Sequence, residues 1–401
     1  MSGLRKLMKF PLMQNNIMES DLAPVIDLLK EKDPRLTSGP KVKEFEKLWS
    51  EWLGVNFSVF INSGSSANLL CMALLKEKYP DGGDIIVPPF TWSSDISSII
   101  WMGFNPVFID ISLPTLALNT DLVISKLEKN KNVKAIFLTH AQGINGLDNK
   151  LLNYVKENNI YLIEDVCESH GVILENGLKA GSVGDVSCFS FYYAHHMSTI
   201  EGGMVCTNNE STYESLRMLR SHGMVRELNN ENYKKKWIED CQDLNEKFIF
   251  TKPAFNFRNN EIGALIGIEQ LKRLDKMVKK RAENFEYFLS LMPEWCFKDF
   301  NLNGQSNYAF NVILKEANKE LMNKLEKKLE SNGIEYRRGS AGGGNQMRQP
   351  YVKSIFNFTE EDFNIISPVT DHIHFYGMYL GNYPELTFDS IREIASIISS
   401  V

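Results

Sequence analysis

The residues that could bind or activate a ligand are dispersed, and the first group stands between a strand-like and a helix-like segment. Residues 62–68 read Asn-Ser-Gly-Ser-Ser-Ala-Asn. The first N–H groups of a helix, together with its dipole, favour an anion, and serine hydroxyls add donors. Gly64 and Ser65 are therefore candidates for binding a phosphate. Ordinary capping of the helix by serine explains the segment equally well.

Two further candidates also follow strand-like segments. Asp165 ends the run Tyr-Leu-Ile-Glu-Asp at 161–165, so its carboxylate would lie at the carboxyl edge of a sheet. A buried carboxylate there can keep a pyridinium nitrogen protonated, which turns a heteroaromatic ring into an electron sink. Trp92 follows another strand and could stack on such a ring. Helix capping by Asp165 and a core position for Trp92 are the structural alternatives.

A lysine-free stretch carries the next candidate. Residues 180–233 contain no lysine, and within them lie Ser-Phe-Tyr-Tyr-Ala-His-His at 190–196 and Glu-Gly-Gly at 201–203. Imidazole can accept and return a proton near neutral pH. The adjacent pair His195 and His196 places such groups within the lysine-free stretch.

Short apolar runs alternating with helical patterns must position these residues. Strands are predicted at 58–61, 84–87, 107–109, 135–139 and 161–164, and helices at 66–78 and 151–158. This alternation predicts an α/β fold with a mostly parallel sheet, in which ligands bind at the carboxyl ends of the strands. We expect the site to be built from the loops after those strands.

The last third of the chain has a different pattern. A long charged helix is predicted at 271–291, followed by a strand at 308–314, and glycine-rich residues 339–345 are a candidate mobile loop. We predict a large domain at 1–255 that includes the N-terminal segment, a connecting helical region at 256–290 and a smaller C-terminal α/β domain at 291–401.

Composition excludes several classes of protein. The 401 residues are 43% hydrophobic and 23% charged, with a net charge of −6. The acidic balance, without a basic stripe interleaved with aromatics, argues against a nucleic-acid partner. No apolar run approaches the ~20 residues of a membrane span, and the N-terminus lacks the apolar core of a signal peptide. A cytoplasmic protein without a membrane partner is expected.

Cysteine and histidine spacing predicts no metal site. The six cysteines never come as close as Cys-x-x-Cys, and the histidines show no ligand spacing such as His-Glu-x-x-His. Neither a zinc site nor an iron–sulfur cluster is expected.

Six motifs in order identify a family. They are residues 62–68, Val-Pro-Pro-Phe-Thr-Trp at 87–92, Ile-Glu-Asp-Val-Cys-Glu-Ser-His-Gly at 163–171, Ala-Gly-Ser-Val-Gly-Asp at 180–185, residues 190–203, and Asn-Phe-Arg-Asn-Asn-Glu-Ile at 256–262. Over about residues 10–400 the chain resembles the sugar aminotransferase (DegT/DnrJ/EryC1/StrS) family of fold-type-I pyridoxal-phosphate enzymes. The resemblance implies an aspartate-aminotransferase-like fold and pyridoxal 5′-phosphate or pyridoxamine 5′-phosphate as cofactor.

The resemblance also implies roles for individual residues. Those matching the family's cofactor-binding positions are Gly64, Ser65 and Ser190 at the phosphate, Trp92 stacked on the ring, Asp165 at the pyridine nitrogen, and Glu168 at the ring oxygen. Asn256 matches an asparagine that reaches the phosphate of the neighbouring subunit's cofactor. The resemblance therefore implies a homodimer with shared active sites.

Position 195 departs from the aminotransferase pattern. The family's cofactor-binding lysine stands five residues after the serine and six before Glu-Gly-Gly, where this chain has His195. Histidine forms no stable covalent link with the cofactor, which implies non-covalent binding. Tyr192, His196 and Met197 also resemble the histidine subfamily, the sugar-nucleotide 3-dehydratases; an engineered lysine-to-histidine change is the alternative.

The subfamily has two versions. One acts on a CDP-linked sugar and carries an iron–sulfur cluster on a cysteine-rich insertion, whereas the other acts on GDP-4-keto-6-deoxy-D-mannose without a cluster. The segment from Arg220 to Phe248 contains a single cysteine, Cys241, which is too few ligands for a cluster. Residues 167–169, 201–205 and 267–272 resemble the GDP version, whereas Gly-Asn-Gln-Met-Arg-Gln-Pro at 344–350 resembles the CDP version.

The resemblance implies removal of the C3 hydroxyl of a nucleotide-linked 4-keto-6-deoxy sugar, with His195 as base. L-glutamate would supply the amino group, and ammonia and a 4-keto-3,6-dideoxy sugar nucleotide would be released, in deoxysugar biosynthesis of the kind that serves lipopolysaccharide O-antigens. Substrate contacts are expected from His222, Arg226, Arg258 and Arg348; the three arginines have guanidinium groups, which bind carboxylates and diphosphates. Surface ion pairing is an equal alternative for Arg226.

Other functions remain open at this point. The chain could be a sugar-nucleotide aminotransferase, although transfer to product normally uses the missing lysine. It could be a dehydratase for a CDP-hexose or a GDP-heptose. A cofactor-binding regulator is the non-enzymatic alternative, but no additional DNA-binding domain is evident.

Overall fold

The computed structural model describes residues 8–401 and contains a large seven-stranded sheet, with helices between its strands, followed by a smaller three-stranded sheet. The strands are β1 Phe57–Ile61, β2 Asp84–Val87, β3 Asn105–Phe108, β4 Ile111–Ser112, β5 Ala117–Leu118, β6 Val133–Thr139, β7 Tyr161–Asp165, β8 Val186–Ser190, β9 Gly203–Thr207, β10 Ala309–Ile313, β11 Tyr336–Arg338 and β12 Gly377–Gly381. The α-helices are α1 Glu19–Leu29, α2 Pro40–Leu53, α3 Gly64–Lys78, α4 Ser93–Trp101, α5 Thr120–Lys129, α6 Asn149–Glu157, α7 Glu210–Arg220, α8 Glu231–Asp240, α9 Glu261–Leu271, α10 Leu274–Ser290, α11 Lys319–Ser331, α12 Pro350–Phe356, α13 Glu360–Ile366, α14 Pro368–Tyr376 and α15 Phe388–Ser399.

The large sheet confirms the predicted mostly parallel arrangement. Its seven strands have the order β1-β9-β8-β7-β6-β2-β3. Strand β9 pairs antiparallel with both β1 and β8, and the pairs among β8, β7, β6, β2 and β3 are parallel. The carboxyl ends of β6, β7 and β8 therefore meet at one edge, where the chain continues into polar loops.

Buried Glu164 holds the loop that leads into β8. Its carboxylate accepts hydrogen bonds from the backbone N–H groups of Gly181 at 2.9 Å and Gly184 at 2.7 Å, and lies 3.1 Å from His140 Nε2. Buried carboxylates require such donors. The glycine-containing motif at 180–185 thus fixes the approach to β8, and with it the position of Ser190 beside Asp165.

The C-terminal region forms the second sheet. Strands β10, β12 and β11 are antiparallel neighbours in that order. Phe10 forms a bridge with Ile334 and packs into the same core, so the N-terminal segment contacts this smaller region rather than only the large sheet. The predicted bounds of the three domains stay predictions.

The long helix predicted at 271–291 is present as α10, Leu274–Ser290, and begins three residues later than predicted. Leu271 is the last residue of α9, and Arg273 is the N-cap residue of α10. Arg273 donates two hydrogen bonds to buried Asp21 of α1, at 2.5 and 2.6 Å. This tertiary contact holds the start of α10 against α1.

Within residues 8–401, no helix is both long enough and apolar enough to cross a membrane.

Candidate active site

A cavity of about 650 Å³ lies at the carboxyl edge of the large sheet, facing the smaller sheet. It brings together seven residues predicted from the sequence, namely Gly64, Ser65, Trp92, Asp165, Glu168, Ser190 and His195. These residues lie in four separate segments of the chain. No lysine is among the described residues that line this cavity.

The start of α3 forms one end of the cavity. Ser63 caps the helix by accepting a hydrogen bond from Ser66 N at 3.1 Å, so the capping alternative for this serine-rich run is correct for Ser63. The first N–H groups of a helix have no partner inside the helix. Gly64 and Ser65 can therefore direct theirs at an anion, with the hydroxyl of Ser190 beside them.

Gly64 leaves no room for a side chain. A Cβ at this position would lie 2.5 Å from Ser190 Cβ and 2.9 Å from Ser190 Oγ. We expect Gly64→Ala to weaken cofactor binding about 10- to 100-fold, because relieving overpacking of about 1–3 kcal/mol must displace Ser190. Titrating the cofactor by fluorescence quenching measures the effect.

Gly263→Ala is the matched control for that experiment. A Cβ there would meet its nearest atom, Asn259 Oδ1, at 3.4 Å, an ordinary contact within helix α9. Cofactor affinity should therefore be unchanged in the control. Equal affinities for wild type and Gly64→Ala would show that this end of the cavity does not bind the phosphate.

Asp165 stands at the end of β7, as predicted, and faces the cavity. It is 3% exposed, accepts a hydrogen bond from Cys167 N at 2.8 Å, and has Asn68 Nδ2 at 3.4 Å. Trp92, the N-cap residue of α4, is 51% exposed at the cavity wall. Asp165 can therefore contact the edge of a planar ring in the cavity, and Trp92 can stack on the face of the same ring.

Glu168 is fixed by a residue that the sequence did not single out. Gln142, in the left-handed conformation with φ 56°, donates to Glu168 Oε2 from both its backbone N–H and its side-chain amide, each at 3.2 Å. Burial raises the pKa of Glu168 from its ordinary 4.5 to about 7. The carboxyl can therefore hold or release a proton near neutral pH.

This shift predicts how stability depends on pH. Between pH 4.5 and 7 the folded protein keeps a proton on Glu168 that the unfolded chain has released, so stability falls as pH rises through that window, by at most about 3 kcal/mol. Glu168→Gln should remove this part of the slope and gain stability relative to wild type at pH 8. Urea unfolding of the cofactor-free protein at pH 5 and 8 measures it, with exposed Glu128→Gln as control; identical pH slopes in all three proteins would contradict it.

His195 lines the cavity, and the contact of its Nδ1 indicates which ring nitrogen carries the proton. Its Nδ1 is 3.1 Å from the carbonyl oxygen of Ser190, which can only accept, so Nδ1 carries the proton and Nε2 the lone pair. Burial lowers the pKa of His195 to about 4, although Asp165 and the Cys167 and Ser190 carbonyls act in the opposite direction. The ring is therefore neutral at physiological pH and can accept a proton at Nε2.

The smaller sheet contributes a cavity wall that the sequence analysis missed. Tyr308, Arg337 and Tyr379 line the cavity, and the ring of Tyr308 lies 5.8 Å from that of His195. Arg337 forms no salt bridge within the described residues, whereas neighbouring Arg338 pairs with Glu326 at 2.9 Å. Arg337 is thus the cation available to an anionic ligand at this wall. No motif in the sequence indicated Arg337, which lies on the short strand β11.

Arg348, predicted as a nucleotide contact, is engaged elsewhere. Its guanidinium pairs with Asp371 at 2.5 Å and Glu360 at 2.7 Å, and it lies over the ring of Phe363. It does not line the cavity. Its neighbourhood supports a structural role for Arg348 in joining the short helices α12 to α14.

The remaining predicted contacts form a separate group outside this cavity. They are His222, Arg226, Asn256 and Arg258. Asn256 is exposed, accepts a hydrogen bond from Arg258 Nε at 3.0 Å, and lies in a bridge with Ser221. The guanidinium of Arg226 lies over exposed Phe248. These residues present polar and aromatic groups to the exterior of their own chain.

A cluster of possible metal ligands lies at the cavity wall, with Asp165 and Cys167 lining the cavity and Cys188 buried behind them. Ligand atoms of Asp165, Cys167 and Cys188 lie within 4.8 Å of one another. The pKa of Cys167 is raised by burial despite a hydrogen bond with Cys188 that lowers it, and burial raises the pKa of Cys188. Burial disfavours ionisation of both thiols in the metal-free protein, and proximity of the three groups does not by itself indicate a metal centre.

The residues present fit pyridoxal phosphate. A glycine cradle and a helix start suit its phosphate, a buried carboxylate suits its ring nitrogen, and Trp92 suits its ring face. Asn68 Oδ1 is also buried at this site without a partner among the described residues. The cavity therefore offers polar groups that could hydrogen-bond both to the phosphate and to the ring of such a ligand.

A family model decides the classification. The model of the DegT/DnrJ/EryC1/StrS aminotransferase family matches residues 15–399. The chain belongs to this family. The resemblance drawn from the six motifs is thus confirmed, as is the fold-type-I architecture.

Full-length relatives carry more specific names. The chain is 32% identical to GDP-4-keto-6-deoxy-D-mannose 3-dehydratase of Yersinia pseudotuberculosis, over 98% of this chain and 100% of the relative. It is 30% identical to the enzyme of the same name from Escherichia coli O55:H7, with the same coverage. A solved structure of the E. coli dehydratase with bound hydrated pyridoxal phosphate has a TM-score of 0.86 at 29% identity and covers 98% of this chain and 100% of that one.

Proposed function

We propose that the chain is a 3-dehydratase that removes the C3 hydroxyl of GDP-4-keto-6-deoxy-D-mannose, using pyridoxal phosphate and glutamate. The single observation that carries this proposal is His195, which occupies the cofactor cavity where aminotransferases of the family have lysine. The full-length relatives named GDP-4-keto-6-deoxy-D-mannose 3-dehydratase support the same substrate. The products are a 4-keto-3,6-dideoxy sugar nucleotide, ammonia and 2-oxoglutarate.

The predicted cofactor class is confirmed by the family and by relatives solved with bound pyridoxal phosphate. When bound, this cofactor supplies a conjugated ring that withdraws electrons from an attached carbon. Gly64, Ser65 and Ser190 would hold its phosphate, Asp165 its ring nitrogen and Glu168 its ring oxygen. Since no described residue that lines the cavity is a lysine, binding would be non-covalent.

His195 moves the proton. Nε2 holds the lone pair, because Nδ1 donates to the Ser190 carbonyl. Nε2 is therefore the atom that would accept a proton from the bound cofactor, and the backbone carbonyls beside the ring would stabilise the resulting imidazolium. The C3 oxygen leaves as water, and the two electrons that reduce C3 come from the oxidation of glutamate to 2-oxoglutarate. Protonated His195 is placed to return its proton during this sequence.

We infer a homodimer with shared sites. His222, Arg226, Asn256 and Arg258 lie outside the cavity of their own chain, which suits a role in a second subunit's site. In that arrangement Asn256 reaches the partner cofactor's phosphate, and the cationic residues contact the sugar nucleotide. Arg337 is the corresponding cation within the same chain, facing glutamate or the diphosphate. We also propose that the protein is cytoplasmic.

Product analysis with a substrate panel tests the proposed function. The protein, pyridoxal phosphate and glutamate are incubated with GDP-4-keto-6-deoxymannose, with a CDP-linked hexose and with a GDP-linked heptose. We expect catalytic loss of the C3 oxygen and release of ammonia with the first substrate. A stable 4-amino sugar would identify an aminotransferase, and preference for another member of the panel would reassign the substrate.

A further inference from the structure

A second carboxyl group is buried behind Asp165. Asp95, in the first turn of α4, is 0% exposed, and Asp165 is 3% exposed. Asn68 links the two groups: its Nδ2 hydrogen-bonds to Asp95 Oδ1 and lies 3.4 Å from Asp165 Oδ2. Asp95 itself does not line the cavity, so it cannot touch the cofactor directly.

Two threonine hydroxyl groups lie beside Oδ2 of Asp95. Thr91 Oγ1 and Thr139 Oγ1 both hydrogen-bond to Asp95 Oδ2, the latter at 3.1 Å, and the two hydroxyls lie 2.7 Å apart. Thr139 is also the register partner of Asp165 between strands β6 and β7. A hydroxyl can donate or accept, so this shell can serve an acid, a carboxylate or an amide at position 95.

The charges around Asp95 favour its neutral form. The titratable groups that face it are Asp165 at the end of β7, Cys167 in the following loop and Tyr351 on α12, and none is a cation. Burial and the neighbouring Asp165 raise the pKa of Asp95 well above its ordinary value. The two carboxyl groups are linked through the Asn68 amide rather than through a cation. Asp165 lines the cavity and accepts the backbone N–H of Cys167, whereas Asp95 is fully buried, so burial favours the neutral form at the deeper Asp95.

We propose that Asp95 is a positioning residue, which stays uncharged and, with Asn68, orients Asp165 so that a single carboxylate faces the cofactor's ring nitrogen. This inference rests on the cofactor-binding part of the proposed function and not on the identity of the sugar. A charged Asp95 would instead place two anions behind one ring nitrogen. The neutral carboxyl acts only through Asp165 and Asn68.

Two substitutions separate charge from positioning. Asp95→Asn imitates the uncharged acid in shape and hydrogen bonding, whereas Asp95→Ala removes the group. Each variant is loaded with pyridoxal phosphate without sugar nucleotide, and the cofactor's absorbance is titrated against pH. Asp95→Asn should keep the wild-type profile and cofactor Kd within about threefold. Asp95→Ala should weaken the Kd at least about 10-fold and shift loss of the ring-nitrogen proton to lower pH.

Ser98→Ala is the matched control, since Ser98 is a buried polar residue on the same helix and outside the cavity. Its titration should follow wild type. A profile shifted equally in Asp95→Asn and Asp95→Ala would overturn the proposal by showing that Asp95 is charged. An unchanged profile in Asp95→Ala would overturn it by showing that Asp165 needs no such support.

An infrared measurement keeps the proposal testable if Asp95→Ala does not fold. Wild-type protein at pH 7 should show the carbonyl stretching band of a buried protonated carboxylic acid, and Asp95→Asn should lack that band. Absence of the difference would overturn the proposal. Failure of wild type to bind the cofactor would refute the proposed function separately, because the infrared band tests the Asp95 proton without cofactor.

Discussion

Replacing His195 with lysine abolishes dehydration and makes cofactor binding covalent. A lysine amine at this position lies inside the cavity that holds the cofactor's reactive carbon, so it competes with the amine that must react with the sugar. Dehydration should fall by at least about 10²–10⁴-fold, the usual contribution of a positioned acid–base group. Mass spectrometry after borohydride reduction should find the cofactor attached to residue 195, and only in this variant.

The matched variant for that result is His195→Asn. Asparagine keeps a hydrogen-bonding group near the Ser190 carbonyl but neither accepts a proton near neutral pH nor binds the cofactor covalently. It should lose dehydration to a similar extent while the cofactor stays exchangeable on dialysis. Full activity in either variant would remove His195 from the mechanism.

Replacing Asp165 with asparagine should lower turnover about 10²–10³-fold, the range typical for removing one electrostatic group from a reaction centre. The neutral amide no longer favours a protonated ring nitrogen, so the bound ring becomes a weaker electron sink. The substrate KM should change little, because Asp165 lies behind the cofactor position rather than beside the sugar. Steady-state kinetics and the pH titration of the cofactor's absorbance measure both effects.

Asp110→Asn controls for loss of a buried carboxylate as such. Asp110 is 3% exposed and accepts hydrogen bonds from Val369 N and Thr370 Oγ1, each at 2.7 Å, far from the cavity lining. Its replacement should lower thermal stability with an unchanged cofactor titration. If Asp165→Asn behaved like Asp110→Asn, its role at the ring nitrogen would be refuted.

The sequence predicted the sheet and its polar edge because local patterns determine both. The apolar run before Asp165 is a buried parallel strand, and a polar residue that ends such a run lies at the ligand-binding edge. Similar local reasoning predicted Gly64, whereas Ser190 came from the family resemblance, and the fold brings the two beside one another. Strands β8 and β9 were not predicted, because a short, fully buried strand cannot be distinguished from a buried helical segment by periodicity.

Contacts distant in sequence explain what the sequence did not reveal. Arg337 reaches the cavity because β11 pairs with β12. Arg348 lies in the segment 344–350, which resembles a family motif, but its guanidinium is paired with Asp371 and Glu360. Asp95 resembles an ordinary residue in the first turn of a helix, where carboxylates are common. Only the fold places it behind Asp165.

Deuterium at C3 of the product tests the central claim most directly. The reaction is run in D₂O with GDP-4-keto-6-deoxymannose, pyridoxal phosphate and glutamate, and the nucleotide sugar is examined by NMR and mass spectrometry, with a sample lacking glutamate as control for exchange. Dehydration predicts a product that lacks the C3 oxygen, carries solvent deuterium at C3 and forms with an equal amount of ammonia. A product that retains its C3 oxygen and carries an amine at C4 would contradict the account.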